Sequence, residues 1–383
     1  MKQQRENTIV DYLKSIEEFE KNYIGIEEQD TEDIDTNIGM PYNISDIRLE
    51  QKMLNVYQIE NWIMQGMLNL QPEYQRNLVW DDQRKTALIE SLLLRIPLPS
   101  FYLNEDENGY KNVIDGMQRL STIHEFVQNA FPLKKMQYFP NCENMIFREL
   151  PMMYQSYIME TVLTVNILDA RCPQMIKFDI FKRVNTGGLQ LNFQEIRNIM
   201  AKPMVRNLLK EMASCEEFRT ATGRGINDIR MGAQELCLRL ITILYHYDWD
   251  HHNRLVNYVG LMKTMDNMIV ELNMCIERDY RRILSDFKRA MRQAHMILGS
   301  DIFTTPGQKR VNASLFTSWA AVLMYYKFPN DWIEKNTDRI YNDYKTELEE
   351  KNDFYHAVTS STGSRKNILT ALAAIQRILE VLQ

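Results

Sequence analysis

The residues best placed to do chemistry gather at one junction, Val113-Ile114-Asp115-Gly116-Met117-Gln118-Arg119-Leu120-Ser121-Thr122, where an apolar, strand-like run gives way to an amphipathic helix. A carboxylate ends the strand, a glycine lets the backbone turn, and an amide and a guanidinium fall in the first helical turn. The free N–H groups of that turn favour anions. The same residues also read as plain architecture, because Asp115 with Gln118 three positions on resembles a capping box and needs no ligand.

Other chemical signatures are incomplete. The chain has neither a G-x-x-x-x-G-K-[ST] phosphate loop nor a G-x-G-x-x-G turn after a strand. His124-Glu125 opens like a zincin motif, but Gln128 stands where the second histidine belongs. His251-His252-Asn253 invites comparison with an HNH nuclease, yet it lies between helical segments with no hairpin in the pattern, and reads as a surface turn. Neither a G-x-S-x-G elbow nor a Cys/His nucleophile signature is present.

To position that junction the chain has 383 residues, enough for two domains or one large one. A net charge of −6 excludes a global basic field, so any contact with DNA must come from a local patch. The five cysteines are odd in number and never spaced C-x-x-C, which argues for reduced thiols rather than a disulfide framework or zinc knuckle. With no apolar run long enough to span a membrane, the expectation is a soluble, cytoplasmic protein.

Periodicity predicts a helix over 8–22 followed by an acidic linker, then a helix over 56–67. Pro72 introduces an extended segment that carries Tyr74, Gln75 and Arg76 on a loop or strand end. Asp81 or Asp82 caps a helix bearing Leu88, Ile89, Leu92 and Leu93, which stops before Ile96-Pro97-Leu98-Pro99. Residues 101–103 and 111–114 read as a hairpin, 117–129 as a helix, 161–168 as the clearest β-branched strand and 176–184 as a helix. Asn192-Phe193-Gln194-Glu195 is a second capping-box pattern. Beyond residue 200 the pattern is almost wholly helical, with helices expected near 204–217, 232–247, 254–276, 278–298, 312–327, 331–350 and 365–382. The expected organisation is α+β: an N-terminal helix and acidic linker over 1–49, a mixed domain over 50–200 and a helical domain over 201–383.

The order Pro72-x-Tyr74-Gln75-Arg76, Trp80, Leu88-Ile89-Glu90-Ser91, Ile96-Pro97-x-Pro99, Ile114-Asp115-Gly116-x-Gln118-Arg119-Leu120-Ser121-Thr122, Phe181-Lys182-Arg183-Val184-Asn185-Thr186-Gly187-Gly188 and Gln194-Glu195-Ile196-Arg197 resembles the N-terminal domain family of GmrSD-type restriction endonucleases. The similarity runs on to Arg230-Met231, Glu235, Leu238-Arg239 and Lys309-Arg310-Val311-Asn312, covering most of residues 50–330. It implies a small ParB/sulfiredoxin-like domain that binds a nucleoside triphosphate through an Asp-Gly-Gln-Gln-Arg motif. Carried over by position, Asp115, Gly116, Gln118 and Arg119 form that site, and Met117 departs from the usual Gln.

On that resemblance, Arg119 and Arg76 clamp phosphate oxygens, with Tyr74, Gly116, Ser121, Thr122 and Asn185 completing the nucleotide contacts. Asp115 and Glu195 hold Mg²⁺, and Gln75 or Gln118 orients an attacking water. The implied function is binding and hydrolysis of a nucleoside triphosphate in a DNA restriction or phage-defence system, regulating action on DNA. The missing HNH module after residue 330 supports an alternative, a non-catalytic DNA-binding or adaptor subunit that recruits a separate nuclease. A third reading is a metal-dependent nickase built on Asp115 and Glu195.

Overall fold

A computed structural model describes residues 48–70, 80–184, 192–226, 228, 230–299, 303–350 and 352–380. These residues divide into two units at Ile199/Met200. In the first, β1 (Leu49–Asn55) leads into α1 (Val56–Met64), β2 (Leu68–Asn69), α2 (Asp82–Leu93), β3 (Phe101–Glu105), β4 (Lys111–Asp115), α3 (Met117–Val127), α4 (Met152–Glu160), β5 (Val162–Leu168), α5 (Gln174–Val184) and α6 (Phe193–Met200). The mixed α+β architecture expected from the sequence is what forms.

The strands make a five-stranded sheet in the order β1-β5-β3-β4-β2. β1 runs antiparallel to β5 from Leu49↔Leu168 to Asn55↔Val162, and β3 is parallel to β5 and antiparallel to β4. β3 is thereby central, flanked by the β-branched or apolar strands β5 and β4, whose side chains Val113, Leu163, Val165 and Ile167 join Phe101 and Leu103 of β3 in the core. Helices α2 and α3 close over this core with Leu88, Ile89, Leu92, Leu120, Ile123 and Phe126, the spacing of one apolar helical face. Trp80 packs against the same cluster.

Three elements differ from the sequence expectation. β1 carries Glu50, Gln51 and Lys52, and most of its residues are exposed, so the apolar alternation that marks a half-buried strand is weak. β2 is two residues long and held by parallel pairing to β4. α4, in a stretch where the sequence predicts no element, starts directly after Pro151 and buries only Ile158, leaving almost no amphipathic signal to read.

The second unit is helical: α7 (Pro203–Ser214), α8 (Glu216–Ala221), α9 (Gly232–His246), α10 (Leu261–Leu272), α11 (Glu277–Leu298), α12 (Ala313–Tyr326), α13 (Asn330–Glu349), α14 (Asp353–Thr359) and α15 (Arg365–Ile378). α12 is buried on nearly all sides, from Ala313 to Met324, and is the central helix of this unit. Cys215 adopts extended backbone and splits the helix expected over 204–217. The helix expected from residue 254 begins only at Leu261, because Tyr247 and Leu255 pair as an antiparallel bridge and Gly260 precedes the helix at φ 92°.

Candidate functional site

β4 delivers Asp115 to the end of the sheet, opposite Tyr102, where a register shift on β3 loosens the ladder. Gly116 then turns the chain at φ 93° and ψ 9°, a left-handed conformation, and becomes the N-cap of α3. A Cβ at this position would sit 2.9 Å from Phe101 Cε1 and closer still to Cδ1. Glycine is therefore required twice, by the backbone angle and by the ring packed against it. No side chain caps α3. The capping box expected from Asp115 and Gln118 is absent, since the αL glycine, not Asp115, occupies the cap and points the carboxylate elsewhere.

That carboxylate meets Arg119 one turn along α3, with Asp115 Oδ2 3.0 Å from Arg119 Nη2. The guanidinium also donates through Nη1 to the Pro99 carbonyl and through Nη2 to the Ser100 carbonyl at 3.3 Å, and it lies 4.5 Å from the centre of the Phe101 ring. Pro99, at the end of the run read from sequence as a helix stop, and Ser100 after it thus supply acceptors to the site. Phe101, read as an ordinary strand residue, forms its floor.

Both charges are largely withdrawn from water, with 14% of the Arg119 side chain and 24% of the Asp115 side chain exposed. Burial pushes the Asp115 carboxyl above the usual range, a shift that the Arg119 charge and the Gly116 N–H only partly offset. Burial also lowers Arg119 from its ordinary value, against the pull of Asp115. Arginine remains charged at any physiological pH. The junction is thus a desolvated ion pair beside an uncapped helix N-terminus of eleven residues.

The remaining candidates are placed unevenly. Gln118 and Ser121 are half-buried on α3, whereas Thr122 is 2% exposed. Glu90 accepts the Tyr138 backbone N–H. Glu195 is buried in the reciprocal capping box expected for α6: Asn192 N–H donates to Glu195 Oε2 at 2.6 Å, and Glu195 N–H donates to Asn192 Oδ1 at 2.8 Å. Tyr74, Gln75, Arg76 and Asn185 lie outside the described residues. Among the described residues no cluster of three or more His, Cys, Asp or Glu side chains is arranged to hold a metal ion. A Mg²⁺ ion needs only one or two carboxylates when phosphates supply the rest, so Asp115 alone fits that chemistry.

The His251-His252-Asn253 turn is closed by the Tyr247–Leu255 bridge, a short β-type pairing where the sequence showed no hairpin. Asp248 anchors it, with both oxygens 3.0 Å from His251 Nδ1 and Oδ2 2.6 Å from Arg254 Nε. His252 Nδ1 faces the buried Gln376 amide at 3.0 Å. These bonds make the turn a structural link to α15.

The first unit is therefore an α+β domain with a polar strand–glycine–helix junction, and the second is a helical unit. Residues 51–200 match the family model described as the GmrSD restriction endonuclease N-terminal domain. The motifs noted beyond residue 200 lie outside the matched segment. A comparison with curated proteins returned no match. No helix among the described residues is long and apolar enough to cross a membrane.

Proposed function

We propose that this chain is a nucleoside-triphosphate-binding component of a DNA restriction or phage-defence system, with the nucleotide held at the β4–α3 junction. The observation that carries the reading is the uncapped N-terminus of α3, set by Gly116 beside the Arg119 guanidinium. Free N–H groups and a fixed guanidinium are the two usual means of balancing phosphate charge. Asp115 is the residue that would hold Mg²⁺, which when bound would supply positive charge against the phosphates. Gln118, half-buried one residue before Arg119, is the residue that would orient a water. The domain match to a restriction-endonuclease family supports the biological setting, and DNA is the partner that setting implies.

A second reading is an adaptor that keeps this fold without turnover and recruits a separate nuclease. Its support is that Arg119 already serves Asp115 and two backbone carbonyls, a structural use of the charge. Phosphate release separates the two. The proposed enzyme liberates phosphate from at least one nucleoside triphosphate with Mg²⁺, in the presence or absence of DNA. A chain that binds nucleotide yet releases none fits the adaptor.

A further inference from the structure

We infer that Glu60, His124 and Gln128 form a binding site for a divalent transition-metal ion of the Zn²⁺, Ni²⁺ or Co²⁺ class, separate from the nucleotide junction and independent of that reading. His124 and Gln128 lie one turn apart on the same face at the end of α3, the spacing noted in the sequence as half of a zincin motif. α1 brings the missing anionic donor to that face. Glu60 Oε2 is 2.9 Å from His124 Nδ1 and 3.5 Å from the Gln128 side-chain amide.

The second observation is an orphan. Glu60 has only 5% of its side chain exposed, yet its other oxygen, Oε1, has no hydrogen-bond partner. An unpaired oxygen on a buried carboxylate is costly and calls for an explanation. A cation bound by both Glu60 oxygens and by His124 Nδ1 supplies one. Tetrahedral donors about 2.0–2.1 Å from an ion lie about 3.3–3.4 Å apart, so Glu60 Oε2 and His124 Nδ1, hydrogen-bonded at 2.9 Å without the ion, need to part by only about half an ångström to share it. Turning over the Gln128 amide presents its oxygen as a third ligand, and such a flip exchanges atoms of nearly identical size.

One imidazole with carboxylate and amide oxygens is a borderline set, suited to Zn²⁺, Ni²⁺ or Co²⁺ more than to thiol-seeking ions. Because 29% of the His124 side chain is exposed, an ion can enter from solvent and keep water in its open positions. Glu125, the second residue of the half-motif, is taken by Lys85 at 2.6 Å and stays outside the ligand set.

The test is isothermal titration of Zn²⁺ and of Co²⁺ into the full-length, chelator-treated protein without nucleotide, with Co²⁺ binding also followed by its visible spectrum. One equivalent should bind the wild type, and His124→Ala and Glu60→Gln should each weaken binding at least about tenfold. Gln128→Glu replaces the neutral donor with a charged one and should tighten binding about tenfold, a gain that a misfolded variant could not give. No stoichiometric binding to the wild type overturns the inference, as does binding that neither His124→Ala nor Gln128→Glu alters.

Discussion

Gly116 is the residue on which the junction depends most narrowly, because its backbone angle and the Phe101 ring both exclude a side chain. Gly116→Ala should lower the unfolding free energy by about 2–4 kcal/mol, combining αL strain with overpacking. Denaturant unfolding followed by circular dichroism reads this directly, and a loss below experimental error would mean that the ring simply moves aside. Asp115 gives a pH prediction at the same scale. Its folded-state pKa is raised by burial, so between the ordinary carboxylate value and that raised value the folded protein holds a proton that the unfolded chain has released. This residue's contribution therefore makes stability fall as pH rises through that window. Replacing Asp115 with Asn removes the term, and the difference in stability between variant and wild type should move in the variant's favour as pH rises through the window. A pH series of unfolding curves that showed the opposite slope would contradict the burial account.

At the scale of elements, helix starts show how far local sequence decides structure. Asn192 and Glu195 form the reciprocal cap that their spacing announces, whereas Asp115 and Gln118, with the same spacing, do not. The difference is Gly116, whose αL backbone places the cap one residue later, and the reason for it is a ring on another strand. No local pattern records that contact. β1 and α4 escaped for a related reason, since pairing with β5 and burial of a single isoleucine stabilise them more than their own periodicity does. The lesson extends to α12, whose cap Asn312 is buried, accepts from the Ser314 and Leu315 N–H groups and also donates to the Val358 carbonyl at 2.7 Å. The α14 cap, Asn352, makes the same cap contacts but gives its amide to the half-buried Glu347 carboxylate. Asn312→Ala should therefore cost about 2–4 kcal/mol, and Asn352→Ala nearer 1 kcal/mol. Equal costs in thermal or denaturant unfolding would show that burial of the cap adds nothing.

For the whole molecule, the α+β domain and the helical unit that follows were both legible, because strong β-branched runs and long amphipathic stretches survive any detail of tertiary contact. The candidate site was legible as a motif and not as a geometry. The order of Asp115, Gly116 and Arg119 is local, but the carbonyls of Pro99 and Ser100 and the Phe101 floor are not. Those contacts fix the guanidinium before any ligand arrives, which favours binding by reducing the ordering cost. They also mean that Arg119→Ala alone would confound binding with folding, so Arg119→Lys, which keeps the charge and loses the fork, is the sharper variant.

The most direct test of the central claim is calorimetric titration of nucleoside triphosphates with Mg²⁺ into the full-length protein, wild type and Arg119→Lys, with folding of both checked by circular dichroism. At least one nucleotide should bind the wild type with one site per chain, and Arg119→Lys should bind it at least about tenfold more weakly, the loss of one bidentate charged contact. If no nucleoside triphosphate binds the folded wild type, or if the folded lysine variant binds as tightly, the β4–α3 junction is not a nucleotide site.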